Sequence, residues 1–490
     1  MSVGRNTVYN LAGTVTPLVL ALVTIPLYLQ QVGVERYGAL AIIWVILGYF
    51  GLFDLGLGRA TAHRIAVLVD DEPGKRADVF ATAAVVNIGM GIFGGVLLYV
   101  AASYFFSVHF EADQWLREEV LDAVPVLALA VPVATLTGVA SGALQGREKF
   151  LDVNIATVIS TSLFQLIPLA TAFIIGPTLK WLVVSAIIAR VIGFGIFLLR
   201  VRTHLLRGFT PRFDNAEWLG LLKYGGWVTL TTLAGPLIVV GDRLVLGTTL
   251  GAAAVAIYAV AFDISRRVAL IPKAVGNAVF PRIASSEGEA RKDILRKSLS
   301  VLEILMTVMI IGIICIAEIF LKLWVGQDIG EQATIPARIL MFAYWINAFG
   351  VIAFIYLQAE GKPDIVTKIT IIQLPFYFVL LYYLVEAFGA IGAASAVLLR
   401  LIFDVMFLLF AIDRKMPLPR SFFLNFVMIL ALVVALSRYE FGVLATLSLW
   451  LAATVIALAL SWGHADGDTR AMIVATLKTL TSKVRLVSRR

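Results

Sequence analysis

Ser185–Leu199 reads SAIIARVIGFGIFLL, and Ser395–Leu409 reads SAVLLRLIFDVMFLL. Serine, alanine, arginine, isoleucine and the closing Phe-Leu-Leu recur at a constant offset of 210 residues, 395 against 185. Three weaker matches accompany this one. Leu144-Gln145 through Lys149 corresponds to Leu357-Gln358 through Lys362, Gln165-Leu-Ile-Pro168 to Gln373-Leu-Pro375, and Val34-x-x-Tyr37-Gly38 to Val255-x-x-Tyr258-Ala259. Matches in the same order mark two copies of one structural unit. Both quoted stretches are apolar apart from Arg190 in one and Arg400 and Asp404 in the other, which suits helices of membrane-crossing length.

Composition extends that reading to the whole chain. Of 490 residues, 60% are hydrophobic and 15% charged, and the mean hydropathy is +0.92. A soluble domain carries about 25% charged residues. Apolar runs long enough to cross ~30 Å of hydrocarbon, about 20 residues each, fall at 8–30, 37–58, 79–104, 121–144, 153–175, 181–200, 222–246, 252–281, 298–319, 335–357, 366–387, 389–411, 421–437 and 441–462. The fold class is therefore all-α: a polytopic membrane protein of about fourteen transmembrane helices with no soluble domain. Val8–Leu29 is too long for a cleaved signal and lacks a small-residue cleavage site, so it is read as the first retained helix. The eighth run continues through Pro272 to Pro281, because proline kinks a membrane helix without ending it.

Equivalent repeat elements lie six spans apart, an even number, so both copies have the same orientation. The expected organisation is an N-terminal six-helix lobe (1–210), a C-terminal six-helix lobe (211–412), two additional transmembrane helices (413–465) and a basic tail (466–490). Two parallel lobes around a midplane site, rocking against each other, are a transporter architecture.

The placement of charge gives the orientation. One set of loops holds Arg59, Arg64, Lys75, Arg76, Arg147, Lys149, Arg200, Arg202, Arg207, Arg212, Arg282, Arg291 and Lys292. The opposite set holds few cations, such as Arg36, Arg117, Lys180 and Arg438, and near 105–120 it is acidic through Glu111, Asp113, Glu118 and Glu119. The positive-inside rule then predicts that both termini are cytoplasmic. The net charge of +8 needs no nucleic-acid partner. In the tail, Ile473, Leu477, Leu480 and Val484 share one helical face, with Lys478, Lys483 and Arg485 elsewhere. That suits a helix on an anionic leaflet or a plain topology anchor.

Several chemistries are excluded. The lone Cys315 permits no disulfide or thiolate metal centre within the chain. His63, His109, His204 and His464 all lie between apolar runs, against a histidine relay at membrane depth. No Gly-x-x-x-x-Gly-Lys-Ser/Thr run cradles a nucleotide. No metal, cofactor or catalytic residue is expected.

Charges within apolar spans cost about 2.5–3.5 kcal/mol each on insertion scales, so they are functional candidates by default. They are Asp54, Arg190, Asp242, Arg243, Asp263, Arg266, Arg267, Arg400 and Asp404. Asp404 lies one turn from Arg400 and is its natural partner, so Arg190 and Arg400 also fit pairing within each lobe. Asp242 and Arg243, near one end of their span, also fit snorkelling to the interface. Asp54 sits among Gly51, Gly56 and Gly58, which allow close helix packing. Asp263, Arg266 and Arg267 stand at i, i+3 and i+4, so either arginine can reach back to the carboxylate. Asn87 and Asn347 fit helix-to-helix hydrogen bonds.

The stretch Tyr37-Gly38-x-x-Ala41 through Phe53-Asp54-Leu-Gly56-Leu-Gly58, then Ala60 to Arg64, resembles the second helix of bacterial polysaccharide transporters. These are the Wzx-type flippases of the multidrug/oligosaccharidyl-lipid/polysaccharide exporter superfamily. Asp242-Arg243-x-x-x-Gly247, Val255-x-x-Tyr258-x-x-Ala261, Val279-Phe280-Pro281, Leu323-Trp324-Val-Gly326 and Gly389-Ala-x-Gly392-Ala-Ala extend the likeness over essentially the whole chain. The resemblance implies movement of a polyprenyl-diphosphate-linked oligosaccharide across the bacterial inner membrane for O-antigen, capsule or exopolysaccharide synthesis. It also implies coupling to a proton or sodium gradient, and is compatible with association with polysaccharide assembly proteins. Arginine suits a lipid diphosphate, since its planar fork binds phosphate oxygens bidentately. Arg266, Arg267, Arg243, Arg190 and Arg400 are thus the substrate-binding candidates, and Asp263, Asp54, Asp242 and Asp404 the ion-coupling candidates.

Two other readings compete. A drug/cation antiporter of the same superfamily would favour acidic cavity residues and usually has twelve spans. A polytopic glycan polymerase or ligase would need a large outer loop to build its site, and the repeat would have no role in it.

Overall fold

The computed structural model describes residues 3–48, 54, 56–68, 73–232, 234–414, 418–464, 467 and 470. Among them the chain is helical without strands. The amphipathic tail expected over 469–490 lies outside the described residues except for Arg470.

Sixteen described helices correspond to the fourteen expected spans: the second, seventh and eighth spans are each described as two stretches, and one long helix holds two spans. The single spans of the first half are α1 (Val3–Val32), α4 (Pro73–Tyr104), α5 (Gln114–Gly146), α6 (Phe150–Ile174) and α7 (Leu179–Val201). The second span, expected unbroken over 37–58, is instead α2 (Val34–Gly48) followed by α3 (Leu57–Val67). The seventh is described as α8 (Trp218–Thr232) and α9 (Ala234–Thr249), on either side of residue 233, which lies outside the described residues. The eighth is α10 (Gly251–Ser265) and α11 (Leu270–Ala284), separated by a 3₁₀ turn over Arg266–Ala269. Proline causes that interruption: Pro272 has no N–H for the carbonyl four residues back, at Val268, and its ring crowds that carbonyl. The expected kink therefore lies one turn ahead of the proline.

Then come α12 (Gly288–Val325), α13 (Gln327–Ala359), α14 (Pro363–Ile412), α15 (Phe422–Arg438) and α16 (Val443–His464). At 50 residues α14 is too long for one crossing, and Gly389 breaks it with φ 61° and ψ −134°. A side chain on Gly392 would strike the carbonyl of Leu384, so the chain turns back there and α14 supplies spans eleven and twelve. Among the described residues, eight helices are long and apolar enough to cross a membrane.

The chain packs as two compact units, Met1–Ala256 and Ile257–Arg490. In the first, α5 is the packing axis. Gly138, Gly142 and Gly146 repeat at four-residue spacing, and a Cβ on Gly142 would collide with the carbonyl of Gly58 in α3. On its other flank α5 meets α4 where Gly91 lies against Pro132 and Gly95 against Ala128. Small residues are how membrane helices approach closely when lipid offers no hydrophobic drive between them. In the second unit α13 is the most enclosed helix. Its Trp345 stacks on Phe422 of α15, with centroids 5.1 Å apart, and donates to Thr307 of α12 at 2.9 Å. The additional pair α15–α16 is thereby keyed into the unit.

Candidate functional site

The start of α3 explains one of the charged candidates in the first unit. A broken helix exposes carbonyls at one new end and amides at the other, with partial negative and positive charge respectively. Arg190 of α7 donates to the carbonyl of Leu47, at the end of α2, at 2.9 Å. Its guanidinium lies 4.7 Å from the centre of the Phe164 ring, and Phe164 in turn meets Trp44 at 5.0 Å. Asp54 accepts from the Gly58 amide in the first turn of α3 at 3.0 Å. The Asp54 carboxylate answers the positive end of the α3 dipole. A Cβ on Gly138 would come within 2.8 Å of the Asp54 carboxylate, so glycine there makes room for it. Discontinuous helices of this kind line transporter sites.

Asp242 and Arg243 of α9 are both buried, at 1% and 3% exposure, rather than snorkelling. Arg243 reaches the carbonyl of Val239 at 3.4 Å. Asn87 is fully buried in α4, yet neither amide atom has a hydrogen-bond partner among the described residues, so no helix-to-helix bond forms there.

In the second unit the structure separates the two arginines of the eighth span. Arg266 pairs with the Asp263 carboxylate at 3.1 Å while keeping 53% of its side chain exposed. Arg267 donates to the main-chain carbonyl of Asp263 at 3.0 Å. Farther along, Arg400 lies 5.5 Å over the Tyr377 ring, repeating the Arg190–Phe164 arrangement in the other half. Asp404 accepts from Gln373 at 3.2 Å. The repeat thus preserves an arginine held over an aromatic ring of the preceding span, a cation–π contact.

Three features escaped the sequence. Arg76, Arg147, His204 and Arg207 line one pocket with Thr203, Leu205 and Phe209, at the end of the first unit where α4 begins and α5 and α7 finish. His204 lies in a π-turn over Arg202–Leu206 and contacts Asp152 at 3.0 Å. Arg64 of α3 is ion-paired with Glu217, just ahead of α8. Glu303 is buried among polar groups of α12, α15 and α16. The first two could have been suspected from the density of arginine near helix ends; Glu303 had no local signal.

Comparison with known proteins then bears on this geometry. The polysaccharide biosynthesis protein family matches residues 3–287, and the MatE family residues 229–383. A Shigella flexneri protein named for O-antigen transport is 30% identical over 411 residues, covering 83% of this chain and 97% of that protein. Among solved structures, the lipid II flippase MurJ in an inward closed conformation superposes with a TM-score of 0.71 at 14% identity, covering 93% of this chain and 98% of that one. An inward-facing multidrug resistance transporter of the MATE family gives 0.65 at 16%, covering 88% and 99%.

Proposed function

Because the chain belongs to the polysaccharide biosynthesis protein family, we propose that it flips a polyprenyl-diphosphate-linked oligosaccharide across the bacterial inner membrane, for O-antigen, capsule or exopolysaccharide assembly. The observation that carries this reading is Arg266, braced by Asp263 and still half exposed at the interruption of the eighth span. Half of the Arg266 side chain faces outward, and a diphosphate offers oxygens that a planar guanidinium fork binds bidentately. Arg267 stands beside it, making the pair net positive against one carboxylate. Arg243, Arg190 and Arg400 serve as further contacts along the path. The relative named for O-antigen transport supports the glycan class of the cargo.

The lobes 1–210 and 211–412 rock about their connecting segment in alternating access, with both termini in the cytoplasm. A proton or sodium gradient drives the cycle, with Asp263, Asp54, Asp242 and Asp404 as carriers, and polysaccharide assembly proteins receive the product. Arg266→Ala and Arg267→Ala should leave normal amounts of folded protein but abolish surface-glycan export. Lysine, which keeps charge and loses the fork, should restore it only in part. The loss in binding is about ten- to a hundredfold, roughly 1.5–3 kcal/mol. Normal export by both variants would place the substrate site elsewhere.

One observation favours a second reading: the MatE match over residues 229–383. A drug/cation antiporter would raise drug resistance in a pump-deleted strain, whereas the flippase should not. The arginines at depth favour an anionic cargo.

A further inference from the structure

Two charges are deeply buried where the C-terminal helix pair joins the second unit. Arg338 of α13 has a carboxylate partner, Glu318, at 3.1 Å and donates to the carbonyl of Leu436 at 2.6 Å. Glu303 of α12, at 1% exposure, has no ion-pair partner among the described residues. It is held by neutral groups alone. Ser421 donates to one carboxylate oxygen at 2.8 Å, and the Asn425 amide nitrogen to the other at 2.7 Å. The same nitrogen contacts the Ser461 hydroxyl at 2.9 Å. Ser421 occupies the N-cap position of α15 but makes no side-chain cap, because its hydroxyl is turned to Glu303.

The decisive atom is the Asn425 amide oxygen. Asn425 is fully buried, and this oxygen has no hydrogen-bond partner among the described residues. A buried acceptor without a donor is unfavourable and marks a group with a second use. The amide presents its nitrogen to the carboxylate, as an ionised Glu303 requires. Rotating the amide exchanges oxygen and nitrogen, bringing the oxygen to face Glu303 and Ser461. That arrangement is stable only with positive charge between the oxygens.

We propose that Glu303, Ser421, Asn425 and Ser461 form a binding site for a small monovalent cation, a proton or Na⁺, at the junction of α12, α15 and α16. Carboxylate, amide and hydroxyl oxygens are hard ligands suited to such an ion. One carboxylate balances one unit charge, and among the described residues no group of three or more acidic, histidine or cysteine side chains offers the charge a divalent metal needs. Asn425 is then a rotor that reads occupancy, donating to the bare carboxylate and accepting toward the cation. The bound ion closes α15 and α16 on α12. This goes beyond the flippase reading and is independent of the cargo.

The test is the thermal stability of the purified full-length protein, since an ion that binds the folded arrangement stabilises it. Sodium is titrated against an organic cation at constant ionic strength, and pH is varied separately from about 8 to about 6. If the ion is Na⁺, the melting temperature rises and saturates with sodium. If it is a proton, sodium has no effect and the melting temperature rises as pH falls, because protonation removes a buried charge. The titratable group facing Glu303 from the packed helices is His464 of α16; His464→Gln should leave the response intact. Glu303→Gln should abolish the response in either case. Should that variant fail to fold, Ser461→Ala removes one oxygen and keeps the carboxylate, and should shift the midpoint about tenfold in sodium or about one pH unit. A wild-type protein indifferent to both, or a response unchanged in both variants, overturns the proposal. Drug or glycan export enters neither readout, so failure of the flippase reading would leave this result standing.

Discussion

Gly142 shows at the scale of one residue how the first unit is held. Its Cα meets the backbone of Gly58 so closely that a methyl group there would overlap the Gly58 carbonyl. Neither partner can yield without moving a helix, because both obstacles are backbone. Gly142→Ala should cost about 1–3 kcal/mol, the usual penalty for overpacking, read as a lower melting temperature and lower yield in membranes. An unchanged melting temperature would mean that α3 and α5 do not cross at this point. The glycines near Asp54 were legible as a close-packing signal, but their partner was not, since Gly138-x-x-x-Gly142-x-x-x-Gly146 lies in another span. Asp54 itself read as an isolated charge within an apolar run. It caps a helix that the pattern of hydropathy could not start, because the run stays apolar across the break. Arg190 and Arg400 were found from the repeat; their aromatic partners, on neighbouring helices, leave no trace at fixed sequence spacing.

At the scale of elements, the second span of each copy is interrupted, and the causes differ. The first lies at Gly56, with φ 67° just ahead of α3, and Asp54 caps the helix that follows. The second depends on Pro272, which deprives Val268 of its helical hydrogen bond. The 3₁₀ turn that results, Arg266–Ala269, is where the proposed phosphate ligands stand. Pro272→Ala should therefore let α10 run into α11, stabilising the protein by up to about 3 kcal/mol while reducing glycan export. Stability and activity would move in opposite directions, which distinguishes loss of a functional geometry from simple damage. Full export by a stabilised variant would show that the turn is dispensable. Prolines and glycines were visible in the sequence. What hydropathy does not encode is which turn absorbs the lost bond, and so the interruption was expected at the proline and lies ahead of it. The attachment of α15 and α16 was also hidden, since it rests on single polar contacts, Arg338 to Leu436 and Glu303 to Ser421 and Asn425, between spans far apart in the chain.

At the scale of the whole molecule, the repeat and the packing divide the chain differently. The repeat places the boundary near residue 210, whereas the compact units meet after Ala256. The difference lies in α8 and α9, which open the second copy but pack with the first. The segment ahead of them is tied down: the Arg212 amide donates to Asp78 at 2.7 Å and the Asp214 amide to Thr82 at 2.8 Å, and Glu217 is paired with Arg64. At the other end of α9, the Glu111 amide donates to the Gly247 carbonyl at 2.9 Å, and Gly38 lies against the backbone of Ala252. If the repeat lobes are the moving bodies, the contacts at Gly247 and Ala252 belong to one state of the cycle and open in the other. Spin labels at Gln30, near the end of α1, and Leu250, just after α9, should then report two distance populations. Their weights should shift with the driving ion and with lipid-linked substrate. A single distance under all conditions would place the hinge after α9, within α10, and make 1–256 and 257–490 the rigid bodies instead.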